Sequence, residues 1–147
     1  MNEPNDFRDL VAAMNARAVE FVIIGAFALA YHGRPRATGD LDLWIRPTSE
    51  NANRLLHALS DFGFASIGLT AADILSGKVV QLGYPPVRVD LLTDLDGLTG
   101  DQIWSQRVAG RFGDQPAPYL SKEALILNKR ATGRPQDLAD IHALNAD

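Results

Sequence analysis

Apolar residues recur along this chain at two spacings, one helical and one extended, and the way these alternate predicts one compact α/β unit. Phe7, Leu10, Val11 and Met14 follow Pro4-Asn5 at intervals of three and four, so residues 5–18 read as an amphipathic helix. Phe21-Val22-Ile23-Ile24 is apolar, largely β-branched and ends at Gly25, the pattern of a short buried strand. Residues 26–32 then suit a helix with Gly33 as its stop, leaving no spacer between strand, glycine and helix. Beyond the loop Arg34-Pro35-Arg36-Ala37-Thr38-Gly39, Leu41, Leu43 and Ile45 alternate with Asp40, Asp42 and Trp44, a period-2 strand. Ser49 is placed to cap a helix whose apolar face is Leu55, Leu56, Leu59 and Phe62 and which ends near Gly63. Thr70 can cap a shorter one through Leu75.

In the second half, two strands at 78–82 and 87–92 flank Gly83 and Pro85-Pro86, which reads as a hairpin connection. Period 2 in the second of them buries Val87, Val89 and Leu91 and turns Arg88 and Asp90 to the opposite face. Residues 94–118, rich in Gly, Asp and Pro, carry no period strong enough to fix an element. Ser121 caps a helix to about Ala131, and Gly133-Arg134-Pro135 restarts a final helix whose face includes Leu138, Ile141 and Leu144. Without an internal repeat, a low-complexity stretch or a Gly/Ser linker, residues 1–147 read as a single domain, with a core at 20–92 and C-terminal helices at 121–145.

Composition narrows the class. A chain of 147 residues that is 46% hydrophobic and 22% charged can bury roughly two-thirds of its unfolded surface, which excludes a disordered or membrane-spanning chain. The absence of cysteine excludes a disulfide scaffold, a zinc-thiolate site and a cysteine nucleophile, so any metal must be held by oxygen or histidine. The polar start Met1-Asn2-Glu3-Pro4-Asn5-Asp6 has no basic and apolar signal regions, making a cytoplasmic location, away from membrane, the expectation. A net charge of −4 speaks against a surface that embraces nucleic acid as a whole. The charged residues are unevenly chosen, 14 Asp against 4 Glu, and aspartate favours caps, turns and metal sites.

Two Asp-x-Asp pairs occur, where about one is expected by chance at this aspartate frequency. Asp94-Leu95-Asp96-Gly97 follows the end of a strand and has the chemistry of a turn. Asp40-Leu41-Asp42 lies within a strand, so its two carboxylates project from one face, with Cα atoms about 6.5–7 Å apart. Two such charges brought to about 4 Å at an effective dielectric of 20 repel by roughly 4 kcal/mol, which a proton or a magnesium ion would relieve. The other reading has both pointing into solvent from a half-exposed sheet. If the strand of Asp90 neighbours that of Asp40 and Asp42, three carboxylates share a face, as two-metal phosphoryl or nucleotidyl transfer requires. Alternatively, Asp90 is a sheet-edge charge paired with Arg88 or another arginine. The junction at Gly25 would offer backbone N–H groups to a phosphate, although such junctions are also ordinary structure in α/β chains.

The segment Ile24-Gly25-Ala26-Phe27-Ala28, then His32-Gly33, Arg36, Thr38 and Gly39-Asp40-Leu41-Asp42-Leu43, resembles the signature of the DNA polymerase β-type nucleotidyltransferase superfamily. Within it the chain is similar to minimal enzymes related to the abortive-infection and toxin–antitoxin branch. Asp90 matches the third carboxylate of that family, and Leu127, Lys129, Gly133-Arg134-Pro135-Gln136-Asp137-Leu138 and Asp140-Ile141 resemble its C-terminal helical signature. The resemblance spans about residues 20–145. It implies an α+β fold with a small mixed, largely antiparallel sheet flanked by helices, two Mg²⁺ ions, and transfer of a nucleoside monophosphate from an NTP with release of pyrophosphate. Asp40, Asp42 and Asp90 would be metal ligands and catalytic residues, Asp90 also the base for the acceptor hydroxyl. Gly25 and Ala26 amides would meet the triphosphate, Lys129 would neutralise phosphate, and Arg36 and Thr38 would touch phosphate or organise their turn. The acceptor would be a tRNA end, a protein side chain or a small molecule, and a cognate partner protein is a further expectation. Where the family usually has Gly-Gly or Gly-Ser, this chain has Gly25-Ala26; alanine keeps the amide but deletes a hydroxyl worth about 1–2 kcal/mol to a bound phosphate. Two alternatives remain at this point: a non-catalytic nucleotide- or partner-binding module of antitoxin type on the same fold, and an aminoglycoside-type enzyme with a small cationic acceptor.

Overall fold

A computed structural model describes residues 3–33, 40–64, 68–84 and 87–145. Over these residues the chain forms seven helices around one six-stranded mixed sheet, the α+β architecture expected. Helix α1 (Glu3–Ala16) leads into β1 (Phe21–Ile24), buried at every position, and α2 (Gly25–Tyr31) follows directly. Then come β2 (Asp40–Ile45), α3 (Ser49–Phe62), α4 (Ala71–Leu75) and the antiparallel pair β3 (Val80–Tyr84) and β4 (Val87–Leu92). The stretch 94–118, where periodicity sets no element, holds α5 (Gly100–Ser105), β5 (Val108–Phe112) and β6 (Gln115–Tyr119). Helices α6 (Lys122–Thr132) and α7 (Pro135–Asn145) complete the chain. Among the described residues no helix is long and apolar enough to cross a membrane.

The strand order is β3-β4-β2-β1-β6-β5. Adjacent pairs are antiparallel except β1 with β6 and β2 with β4, which run parallel. Helices α1 and α3 pack on one another, and α1 also reaches β4 and β6. Phe7, Leu10, Val11 and Met14 of α1 and Leu55 and Leu59 of α3 are buried, joining Leu41, Leu43 and Ile45 in one core. Asn51 fastens this layer: its Oδ1 accepts from Glu20 N at 2.7 Å, and its Nδ2 donates to Glu20 O at 2.8 Å and Arg46 O at 2.9 Å. One fully buried amide thereby ties the start of α3 to the entry of β1 and the exit of β2.

Four local expectations need correction. Thr48 rather than Ser49 caps α3, its hydroxyl accepting from Asn51 N at 3.2 Å, and Ser49 is the first helical residue. Strand β3 starts at Val80, two residues after the expected Lys78, and runs on to Tyr84. Val87 is only partly covered, because it lies at the hairpin end of β4 opposite the 86% exposed Tyr84. Leu138 is 53% exposed, and α7 turns Asp137, Asp140 and Leu144 inward instead. Spacing alone allows either face; hydrogen bonds from Arg134 to Asp137 in the first turn set the phase of the helix.

Candidate active site

Strands β2 and β4 are parallel neighbours in register, with Asp40 opposite Arg88, Asp42 opposite Asp90 and Trp44 opposite Leu92. Because side chains alternate along each strand, paired positions share a face. Pairing extends the middle row in both directions, giving Ile24, Asp42, Asp90 and Gln81 side by side across four strands. All four line a cleft of about 520 Å³. Its facing wall is built from α6 and the start of α7, including Leu125, Asn128, Lys129, Thr132, Arg134 and Asp137, and its end from Asp94, Leu95 and Asp96.

Glycines set how closely these walls approach. Gly25 adopts φ +67°, and a Cβ there would overlap the Asp42 carboxylate, so only glycine lets the β1–α2 junction pass beside that side chain. Asp96-Gly97 is the turn between the bridged Leu95 and Leu98, as the sequence suggests for the second Asp-x-Asp pair. Gly97 has φ +82°, and a Cβ on it would come within 2.8 Å of Ala131 Cβ and Leu127 O. The turn therefore lies flush on α6, and Asn128 Nδ2 secures it by donating to Asp96 O at 2.9 Å. Asp96 is thus both a turn residue and part of the cleft lining, whereas Asp94, also expected in the turn, lies just before it and lines the cleft.

The carboxylates crowd one another on the floor, and Asp42 feels the crowding most. The Asp42 carboxyl is pushed up to about 6, chiefly by burial and then by the charges of Asp90 and Asp40, with Arg88 opposing. Arg88 itself binds Asp90 through two contacts, Nε to Oδ1 and Nη2 to Oδ2, each 3.2 Å. Asp42 and Asp90 form the close pair; Asp40 acts on Asp42 from the next row and does not line the cleft. Among the described residues no three acidic or histidine side chains are gathered closely enough to hold a metal ion as they stand. The donors are nevertheless hard carboxylate oxygens, and a divalent cation is the partner that would relieve the crowding at Asp42.

The other residues singled out from sequence fall in different places. Gly25 lines the cleft, whereas Ala26 is partly buried in the first turn of α2, where the N-cap residue Ile24 supplies no side-chain acceptor. Lys129 reaches the cleft wall, but its Nζ lies 2.8 Å from Asp140 Oδ2 and 3.7 Å from Asp137 Oδ1. Arg36 and Thr38 lie outside the described residues. Sequence reasoning passed over Arg134, whose side chain is 72% exposed at the cleft while its guanidinium grips Asp137. Asp137 is 1% exposed and accepts from Thr132 Oγ1 at 2.7 Å and from Arg134 N, Nε and Nη2 at 3.1, 2.7 and 3.0 Å. Arg134 above all holds this carboxyl far below the usual carboxylate range.

No family model matches the chain, and no curated protein matches it. The functional reading rests on these side chains.

Proposed function

We propose that this chain is a Mg²⁺-dependent nucleotidyltransferase, moving a nucleoside monophosphate from an NTP to a hydroxyl acceptor with release of pyrophosphate. The observation that carries this reading is the in-register pair Asp42 and Asp90 on the floor of a cleft whose facing wall bears Lys129 and Arg134. A space of about 520 Å³ is within the range that small-molecule sites occupy. Asp42 and Asp90, with Asp40 from the next row, would hold magnesium. A metal held there would supply activation of an acceptor oxygen and charge stabilisation for the departing pyrophosphate. Gly25 keeps the floor open beside Asp42, and the amides of Gly25 and Ala26 are the proposed triphosphate contacts. Asp90 is the proposed base for the acceptor hydroxyl, a role that requires Arg88 to yield its hold. The acceptor is a tRNA end, a protein side chain or a small molecule, and a toxin–antitoxin or phage-defence setting with a cognate partner belongs to the same proposal.

The Arg88–Asp90 pair favours a second reading, in which Arg88 stays in place and the cleft binds nucleotide without turnover. Labelled NTPs incubated with the protein, Mg²⁺ and host lysate, beside an Asp42→Ala control, separate the two. A labelled acceptor formed by the wild type and not by the variant supports transfer. Absence of labelled product with all four nucleotides removes catalysis, and bound nucleotide without pyrophosphate release leaves the binding module.

A further inference from the structure

Two cations line the wall that faces Asp42 and Asp90, and they differ in what they have left to give. The side chain of Lys129 is 11% exposed and its ammonium lies between two carboxylates of α7. Its charge is already answered within the fold. The side chain of Arg134 is 72% exposed. A guanidinium has five N–H donors in a rigid plane, and Arg134 directs two of them, on Nε and Nη2, at the Asp137 carboxylate. Three donors remain on a side chain that borders the cleft.

We propose that Arg134 is the residue that grips the polyphosphate of the substrate, with Asp137 as its mount, while Lys129 serves the α6–α7 junction. The proposal deepens the nucleotide reading of the same cleft and takes its ligand class from it. The mount is unusually well fixed: Asp137 is 1% exposed and is also held by Thr132 Oγ1 and by the Arg134 backbone N–H. Gly133, at φ +63°, makes the corner that brings the end of α6 and the start of α7 onto this one carboxylate. A long side chain anchored in this way forfeits less rotational freedom when a ligand arrives, and the planar fork suits the oxygens of a phosphate better than a point charge does. Within the corner, Lys129 and Arg134 balance Asp137 and Asp140, so attraction comes from directed N–H donors rather than from net charge.

The test uses the full chain and inorganic tripolyphosphate as probe, titrated calorimetrically in Mg²⁺ buffer against the wild type, Arg134→Ala and Arg134→Lys. Arg134→Ala is expected to weaken binding at least about tenfold while the thermal unfolding midpoint shows the chain still folded. Arg134→Lys keeps the charge but loses the fork, and should recover only part of the affinity. A folded Arg134→Ala chain with wild-type affinity overturns the proposal, and so does a wild type that does not bind tripolyphosphate. Failure here is distinct from failure of the nucleotidyltransferase reading. Unchanged KM for the NTP in an Arg134→Ala enzyme that still releases pyrophosphate removes Arg134 and leaves transfer intact. Loss of tripolyphosphate binding in a chain that never releases pyrophosphate retains Arg134 and removes transfer.

Discussion

Asp42 is more than half buried beside two other carboxylates, and this gives the site a sign that can be measured. Its folded pKa, about 6, exceeds its ordinary value of 3.8, so protonated Asp42 favours the folded chain. The associated stability is full below pH 3.8 and is lost as pH rises through about 6. Asp42→Asn removes the charge at nearly constant shape. In chemical denaturation without metal, we expect the variant to be more stable than wild type by about 2 kcal/mol near neutral pH, allowing for partial solvent screening, and to show no gain below pH 3.8. Millimolar Mg²⁺ should raise the midpoint of the wild type and leave that of the variant unmoved. An equal response in both would remove Asp42 from metal binding. Gly25→Ala provides the steric counterpart, because its Cβ would displace the Asp42 carboxylate. Activity should fall by about a hundredfold or more while circular dichroism still reports a folded chain. Asn51 lies far from this chemistry, and Asn51→Ala leaves Glu20 N without its acceptor and removes one of two donors from each of Glu20 O and Arg46 O, which keep their bonds from Arg46 N and Thr48 N, an expected cost of about 2–3 kcal/mol in denaturant unfolding.

Among the elements, those legible in the sequence were the ones whose pattern is local. β1, β2 and β4 announced themselves through β-branched runs or strict alternation, and the face shared by Asp40 and Asp42 followed from period 2. That β4 lies parallel to β2 with Asp90 level with Asp42 could only be supposed, since register belongs to the tertiary structure. The missed elements have physical reasons. α5 is six residues long and depends on a capping box between Thr99 and Gln102 rather than on an apolar stripe. β6 contains Pro116 and Pro118, which normally argue against a strand. By the two-residue period both face the same way as Leu120, whose N–H bonds Ile23 O at 2.9 Å. Lacking N–H groups, they confine the pairing with β1 to its end, at Ile23 and Tyr119. The final helix was legible as a helix but not in its phase, and that correction can be checked directly. Leu138→Lys should change stability by less than about 0.5 kcal/mol, whereas Leu144→Ala, at a position only 1% exposed, should cost about 2–4 kcal/mol in denaturant unfolding.

At the scale of the whole molecule, its titrating groups pull in opposite directions and set where the fold is strongest. Asp137 has a depressed carboxyl pKa because Arg134 and Thr132 hold its ionised form, so its contribution is present above the ordinary aspartate value and lost as pH falls below it. Asp61, Asp73 and Asp114 are lowered too, each by hydrogen bonds to its ionised form, from Arg17, Thr70 and Arg8 respectively, and they add to the loss in acid. Asp42 works the other way, removing stability as pH rises from 3.8 through about 6. In the absence of metal the two trends leave a maximum on the acid side of neutrality, around pH 4–6 and close to the sequence pI of about 5.3. Unfolding midpoints measured from pH 3 to 8 in chelator should pass through that maximum. Asp42→Asn should flatten the neutral limb while leaving the acid limb in place, and Asp137→Asn should do the reverse on a less stable chain, since it leaves Lys129 and Arg134 short of an acceptor. Saturating Mg²⁺ would hold Asp42 ionised and carry the wild-type maximum toward neutral pH. A maximum that stays put with metal present would mean that the charge on the cleft floor is relieved by something other than a cation.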